Sequence, residues 1–395
     1  MKSPQTPKKR FVVILFFMDQ TKRKVEKRMK QMDGMRYAPK GRASAVVNSG
    51  EFVFAAMYLD HGHIEGMCNG LTEAGAILKY VFDTNIEKAE KFCARYPGAV
   101  AVKSEEEILG DPQIQLVASA AVTAKRCEVG LRVMDAGKDY FSDKAPFTTL
   151  EQLEQARKKV KETKRKYMVY YSERLHVESA VYAGNLVKQG AIGRVLNVVG
   201  MGPHRLNALQ RPEWFFKKAQ YGGILCDIGS HQIEQYLYYS GAEDAEIAYS
   251  RIGNYAHMEY PELEDFGDVM LTGNNGATGY FRVDWFTPSG LSTWGDGRMT
   301  ILGTEGYIEL RKYVNIGVKD SGTDHLFLVD KDGEHYIHTE NTVGFPFFGQ
   351  LILDCLNRTE YAMTQEHAFK AAELCLLAEK QAVWVTGEKS SLSVT

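Results

Sequence analysis

Apolar runs alternate with helix-like segments through the first half of this chain of 395 residues, and this alternation restricts its fold more than any other feature. Apolar runs occupy 52–59, 77–83, 114–120 and 140–142, and segments with helical spacing occupy 67–76, 86–95 and 126–136. An uninterrupted apolar run predicts a strand that is buried on both faces. Strands separated by helices in this order predict an α/β fold with a parallel, doubly wound sheet.

The first turn between a strand and a helix carries the signals for a ligand. In doubly wound sheets this turn receives a dinucleotide pyrophosphate, and an acid that ends the second strand bonds the ribose hydroxyls. Asp83 lies about 20 residues after Gly62, which is the expected spacing. An acid here repels a 2′-phosphate, so the sequence favours NAD over NADP. A glycine-rich fingerprint placed on the turn keeps only Gly62, with Asp60 and Glu65 at the other two positions, so the motif by itself is weak.

Two histidines flank Gly62 in that turn. His61 and His63 could ligate a metal, but no third ligand stands at a spacing typical of a metal site. We therefore expect no metal. We expect His61, Gly62, His63 and Ile64 to line the cofactor turn or to form hydrogen bonds there.

The pattern changes after residue 246. Alternating apolar and polar runs, separated by Gly, Asn and Asp turns, occupy 268–271, 277–285, 298–302, 307–310, 314–318, 325–329 and 334–338. They predict a large, mostly antiparallel open sheet in a C-terminal α+β domain, with a hairpin turn at 331–333. The length favours two domains. We expect an extension at 1–50, a Rossmann-type dinucleotide-binding domain at 51–171 and a substrate and oligomerisation domain at 172–395, with closing helices that can pack back on the first domain.

The composition excludes several classes of protein. The net charge is −2, and no block is basic enough to predict nucleic-acid binding. The six cysteines are scattered without CxxC spacing, which argues against a zinc site or a disulfide framework and favours a reduced, cytoplasmic compartment. The apolar run at 11–18 is too short to span a membrane. We expect 1–34 to be an extension from an upstream start codon, with a secretory signal as the less favoured alternative.

Gly222–His231 is the most distinctive stretch of the second half. Two glycines precede an apolar run, and Asp227 and His231 follow four residues apart. In a helix, both side chains project from one face, one turn apart. Such a carboxylate–imidazole pair suits proton transfer, and it also suits a buried structural pair. The stretch alone leaves both interpretations open.

Two motifs give the chain a resemblance to a known family. The segment 136–146 has the sequence AGKDYFSDKAP, similar to the AGKHVxxEKP segment of the glucose–fructose oxidoreductase / inositol dehydrogenase (Gfo/Idh/MocA) family. The segment 222–234 resembles that family's GGxxxDxGxHxxD motif, with Glu234 in the last acidic position. GAIGRV at 190–195 and GTEGYIEL at 303–310 are further matches, and the resemblance covers about 52–386. In the first motif the family's glutamate is replaced by Asp143.

The resemblance implies an NAD-dependent oxidation of a secondary hydroxyl, at C3 of a sugar or glycoside, by a homo-oligomer. His231 would be the base that takes the hydroxyl proton, with a pKa near neutrality. Asp227 would orient it. Lys144 would contact both the nicotinamide and the reacting oxygen. Arg174 stands where the family's NxRF segment lies near the substrate.

Aromatic and polar residues of the second domain are candidates for sugar contacts. Rings stack on tryptophan and hydroxyls bond to carboxylates, so we expect Trp214, Trp294, Asp296 and His204 to bind substrate and Trp285 to belong to the core. Two alternatives stay open. One is a redox-assisted glycosidase or lyase that uses Glu173, His204 or Asp296 as a second acid/base. The other is a non-catalytic sensor or subunit.

Overall fold

The computed structural model describes residues 35, 37, 39 and 44–385. The expectation for 1–34 lies outside the described residues. Among the residues that are described, no helix combines the length and the apolar character that a membrane span requires.

Six parallel strands form the first sheet, in the order β3-β2-β1-β4-β5-β6. The strands are β1 (Val53–Met57), β2 (Ile77–Phe82), β3 (Val100–Ala101), β4 (Leu116–Ser119), β5 (Asp139–Asp143) and β6 (Tyr167–Tyr170). The helices that connect them are α1 (His63–Glu73), α2 (Ile86–Cys93), α3 (Glu105–Leu109), α4 (Arg126–Asp135) and α5 (Leu150–Thr163). The predicted doubly wound parallel sheet is confirmed. The order changes direction between β1 and β4, which is where ligands bind in such sheets.

The first helix begins earlier than the sequence predicts. The pattern of apolar residues places its start at Met67, whereas α1 starts at His63, directly after Gly62. Gly66 and Gly70 of this helix let neighbouring side chains approach, since a Cβ at Gly70 would overlap the Phe348 ring. The apolar pattern starts late because the first turn of α1 faces the ligand side rather than the core.

Nine strands form the second sheet, in the order β14-β13-β12-β11-β7-β10-β9-β8-β15. They are β7 (Val195–Pro203), β8 (Ala245–Gly253), β9 (Phe266–Gly273), β10 (Thr278–Asp284), β11 (Arg298–Gly303), β12 (Tyr307–Arg311), β13 (His325–Asp330), β14 (Gly333–His338) and β15 (Val383–Val385). Pairing is antiparallel except for β7 with β10 and β8 with β15. The mostly antiparallel sheet is therefore confirmed. The predicted strand at 314–318 is wrong, because the Asn315 side chain accepts from the Gly317 N–H and turns the chain there.

The remaining helices cover one face of the second sheet and join the two sheets. They are α6 (Ser172–Leu175), α7 (Glu178–Lys188), α8 (Lys218–Tyr221), α9 (Ile224–Asp227), α10 (Gly229–Ser240), α11 (Pro346–Asn357) and α12 (Gln365–Gln381). In α10, Gln232 lies against β7 at Gly200 and Gly202, where a Cβ would overlap its amide. From α12, Glu366 and Glu373 accept hydrogen bonds from Arg157 of the first domain, at 2.5 and 2.9 Å.

Candidate active site

An ion pair joins the two domains at the carboxyl end of β5. Lys144 directly follows β5, and its Nζ donates to Oδ1 of Asp227 at 2.5 Å and to the Asp227 carbonyl at 3.1 Å. Burial alone would raise the pKa of Asp227, but the charge of Lys144 outweighs it and holds that pKa below its ordinary value. The pair places an ammonium group beside the start of α10, where both domains contribute side chains.

The Gly222–His231 stretch is helical, but in two pieces. Helix α9 ends at Asp227 and α10 starts at Gly229, with the His231 N–H bonded to the Ile228 carbonyl at 3.1 Å. The carboxylate of Asp227 is bonded to Lys144 and not to His231. The expectation that Asp227 orients His231 is therefore wrong. The reason is that the lysine, which comes from the other domain, takes the carboxylate.

His231 is buried at the start of α10. Its Nδ1 has no hydrogen-bond partner among the described residues. Burial, assisted by the charge of Lys144 and by His63, lowers the pKa of His231 well below its ordinary value. The expectation of a pKa near neutrality is corrected accordingly. His231 is an unprotonated imidazole at neutral pH, which can accept a proton but holds it weakly.

Two carboxyl groups hold the start of α9. Glu264 accepts from the Ile224 N–H at 2.7 Å, and Glu379 accepts from the Leu225 N–H at 3.2 Å. Lys218 donates to both carboxyl groups. Gly223 has φ of +97°, and a Cβ there would overlap the Glu379 carboxyl group. The second glycine of the motif therefore makes room for the group that caps the helix.

On the other side of the cleft, Asp143 fastens the first βα turn to β5. It is fully buried and accepts from His63 Nδ1 at 2.8 Å, from His61 Nδ1 at 3.1 Å and from Arg126 Nη2 at 3.1 Å. Burial alone would raise the pKa of Asp143, but His63 and Arg126 outweigh it and hold that pKa well below its ordinary value. Burial and the adjacent His63 lower the pKa of His61 to about 3. We call His61, His63, Arg126 and Asp143 the turn clamp.

The turn clamp contains the donor set of a possible metal site. Ligand atoms of His61, His63 and Asp143 all lie within 4.8 Å of one another. Asp143 is thus the third ligand that spacing along the chain does not reveal. Two observations argue for hydrogen bonding instead of a metal. Each Nδ1 already faces a carboxylate oxygen, and the Arg126 guanidinium on Oδ2 would repel a cation.

The acids that weaken the glycine fingerprint are neutralised. Asp60 lies 3.2 Å from Lys88 Nζ, and Glu65 lies 2.5 Å from Arg95 Nη1. Gly62 is the N-cap of α1, and the Ile64 side chain is buried beside it. The turn therefore presents little net charge to a bound phosphate, in spite of its composition.

Asp83 stands at the end of β2, as expected, but both carboxylate oxygens are occupied. Oδ1 accepts from the Asn85 N–H at 3.0 Å, and Oδ2 accepts from the Leu59 N–H at 2.8 Å. Lys88 Nζ lies 2.9 Å from Oδ2. Its neighbours Gly62, Ile64, Asn85 and Lys88 line a cavity of about 550 Å³ between α1 and α2. The volume and position of this cavity fit part of a dinucleotide.

A second buried ion pair lies on the substrate-domain side. Glu173 Oε2 accepts from Lys312 Nζ and from Gln232 Nε2, each at 3.1 Å, while Oε1 has no partner among the described residues. His204 Nε2 lies 3.9 Å from that oxygen. Burial lowers the pKa of His204 to about 4. Lys144 also lowers the pKa of Glu173 and of His204, which places both near the Lys144–Asp227 pair.

Two family models match the chain in succession. One, described as an oxidoreductase family with an NAD-binding Rossmann fold, matches residues 63–171, and the GFO/IDH/MocA C-terminal domain matches residues 181–309. The chain belongs to the GFO/IDH/MocA oxidoreductase family.

Individual relatives support the same family. A crystal structure from Erwinia carotovora atroseptica SCRI1043, described only by the general class oxidoreductase, is 50% identical, with a TM-score of 0.82 over 85% of this chain and 100% of that one. Scyllo-inositol 2-dehydrogenase (NAD(+)) of Bacillus subtilis is 28% identical over 51% of this chain and 56% of that enzyme. Its NADP(+) counterpart from the same organism is 26% identical over 47% and 50%. The chain thus spans about half the length of these two dehydrogenases.

Three of the expected substrate contacts of this GFO/IDH/MocA chain lie elsewhere. Arg174 is buried in an ion pair with Glu234 and stacks on Tyr238 at 3.9 Å, so it is not free to bind a substrate. Asp296 is held by Arg298 in a cavity lined by Met201 and Arg282, on the sheet face opposite α10. Trp214 packs on Phe215 at 6.0 Å.

Other expected residues do meet near the ion pair. Trp294 lies 4.5 Å from His204 and 4.4 Å from Tyr313, between ring centroids. Trp285 is buried, as expected of a core residue. Sequence reasoning missed Arg126, Lys88 and Lys312 as members of the site. Arg126 alone left a signal, because it replaces a histidine of the family pattern.

Proposed function

We propose that this chain oxidises a secondary hydroxyl, at C3 of a sugar or glycoside, with NAD as the hydride acceptor. The observation that carries the proposal is the Lys144–Asp227 pair, 2.5 Å apart across the domain boundary, beside an unprotonated His231. Relatives that act on scyllo-inositol support a polyhydroxylated substrate. Cytoplasmic location and a homo-oligomer joined through the second sheet remain parts of the proposal.

The residues present fit a dinucleotide. Gly62 and Ile64 start the helix beside the cavity of about 550 Å³, and Lys144 stands at the carboxyl end of β5. When bound, the dinucleotide supplies the hydride acceptor. The chain holds it against β1 and β5 through the turn that the turn clamp fixes.

The protein's own groups handle the proton and the developing charge. His231 accepts the hydroxyl proton, because its imidazole is unprotonated and its Nδ1 has no partner among the described residues. Lys144 Nζ donates to the substrate oxygen and stabilises negative charge as it forms there. Asp227 holds the lysine in place. Glu173 Oε1 and His204 offer acceptors to further substrate hydroxyls, and Trp294 offers a ring face beside them.

The redox-assisted glycosidase alternative loses one of its candidates. Asp296 faces the opposite side of the sheet, and Lys312 lowers the pKa of Glu173 although burial alone would raise it. An ionised Glu173 is a poor acid. The observations therefore favour the oxidation over the cleavage.

The test follows reduction of NAD by the full chain with a panel of sugars, polyols and glycosides, with mass spectrometry of the product. We expect a keto product, and a fall in kcat/KM of about 100-fold or more in Lys144→Met. Lys125→Met, an exposed lysine paired with Glu128 at 3.6 Å, should leave the rate unchanged. Release of a free sugar would favour the glycosidase. Undiminished turnover in Lys144→Met would remove the proposed chemistry.

A further inference from the structure

The cavity between α1 and α2 carries more positive charge than an NAD-specific site requires. Its lining includes Gly62, Glu65, Asn85, Lys88, Lys91 and Arg95. Glu65 is already bonded to Arg95. Glu87, the other acid of the lining, is mostly exposed to solvent. The lysines of α2 therefore set the sign of the local potential.

Asp83 does not oppose this charge. Its carboxylate is buried and is not part of the cavity lining. Two backbone N–H groups and Lys88 occupy its oxygens, at 2.8 to 3.0 Å. The rule that an acid after the second strand rejects a 2′-phosphate requires an ionised carboxylate free to meet the ribose. In this chain the carboxylate is turned inwards and its charge is compensated.

Lys88 is placed to act on both sides. Its Nζ bridges Asp83 and Asp60, and its side chain is 37% exposed, so it reaches the cavity from the wall that holds the two acids. A phosphate near Lys88 gains a charge-assisted hydrogen bond, and it meets acids that the lysine has already neutralised.

We propose that Lys88 forms a 2′-phosphate subsite, so that the chain binds NADP(H) as well as NAD(H). The inference rests on the proposed function, because it presupposes a dinucleotide in this cavity. Lys88 is the specificity-determining residue. Lys91 and Arg95 add favourable potential, while the hidden carboxylate of Asp83 shapes the turn after β2.

The test measures binding of NADH and NADPH to the full chain, freed of bound nucleotide, through quenching of tryptophan fluorescence. We expect the two Kd values to lie within about 10-fold of each other. Lys88→Met should raise the Kd for NADPH about 10- to 100-fold, because it removes the phosphate's partner and exposes two acids. The Kd for NADH should change less than about 3-fold. Lys88→Arg should restore NADPH binding. Lys125→Met, outside the cavity, is the control.

The outcomes separate the two proposals. Binding of NADH without NADPH in the unaltered chain overturns the subsite and leaves the proposed function standing. Failure of both dinucleotides to bind overturns the proposed function itself. An equal loss of both in Lys88→Met makes Lys88 a structural residue and overturns its role in specificity. A steeper salt dependence for NADPH than for NADH is the further result expected of a phosphate contact.

Discussion

The two walls of the cleft handle ionisable side chains in opposite ways. In the first βα turn every charge is matched, since Asp60 meets Lys88, Glu65 meets Arg95, and Asp143 holds the two histidines. In the facing Gly222–His231 stretch, Asp227 is paired with a lysine from the other wall. His231 is buried there, and its Nδ1 has no partner among the described residues.

The difference separates a frame from a reacting group. A buried polar network that is fully satisfied is rigid and costly to break. A buried imidazole without a partner gains nothing for stability, because its desolvation is not compensated. Groups of this kind persist where chemistry needs them. We therefore expect changes in the turn clamp to reduce stability first, and changes at His231 to reduce activity first.

The largest effect should follow from His231→Asn. Loss of the base should lower kcat/KM for oxidation about 100- to 10,000-fold, while the free energy of unfolding changes little. In the unaltered enzyme, kcat/KM should stay level as the pH falls through the ordinary histidine range, because the pKa of His231 is depressed. A rate that falls at about pH 6.5, the ordinary histidine pKa, would show that His231 is not the depressed base.

The second prediction breaks the frame. Asp143→Ala leaves Arg126 buried without its carboxylate and removes the acceptor of His61 and His63. The free energy of unfolding in urea should fall by about 3–5 kcal/mol. Asp135→Ala, which removes an exposed partner of Lys159, should cost about 1 kcal/mol or less. Equal costs at the two sites would contradict the contrast between the walls.

Much of the fold can be predicted from the sequence, because both sheets write their period into it. Uninterrupted apolar runs mark β1 and β4, and alternation marks β9 to β14. The helix starts are less visible. His63 and Ile64 belong to the first turn of α1, where side chains serve the ligand side, so the apolar pattern begins only at Met67. The run at 314–318 has strand composition, but the Asn315 side chain turns it.

The site was predictable in its members and not in its pairings. Lys144, Asp227 and His231 were found through their motifs. Asp227 was assigned to His231 because the two are close in sequence, whereas its partner comes from the other domain. Asp143 was noted only as a replacement for glutamate. Its role as acceptor for two histidines depends on β5 lying beside the turn after β1 and β4, which no local pattern encodes.

The third prediction tests how the second wall is held. Gly223→Ala places a Cβ against the Glu379 carboxyl group at φ of +97°, and should cost about 2–4 kcal/mol. Gly241→Ala is the matched control, because φ there is +69° and nothing lies within 4 Å of the added Cβ. Its cost should be the backbone strain alone, about 1–2 kcal/mol. If the two costs are equal, the close approach of Glu379 does not explain the second glycine.

The smallest expected effect concerns pH. Burial, together with the nearby Glu264, raises the pKa of Glu379 above its ordinary value. A carboxyl whose pKa is higher in the folded protein takes up a proton on folding, so its contribution to stability is complete at acid pH and is lost as the pH rises through the folded pKa. Lys218 bonds both carboxyl groups, so the ionised pair is tolerated and the loss is modest.

Glu379→Gln makes this contribution independent of pH, because the amide cannot ionise. Between about pH 5 and 8 the unaltered chain should lose about 1–2 kcal/mol of unfolding free energy relative to Glu379→Gln, as urea unfolding across that range would measure. All other groups titrate alike in both chains and cancel. Parallel profiles would mean that Glu379 is ionised throughout. The start of α9 would then be held by charge, as the opposite wall is, and the contrast between the two walls would rest on His231 alone.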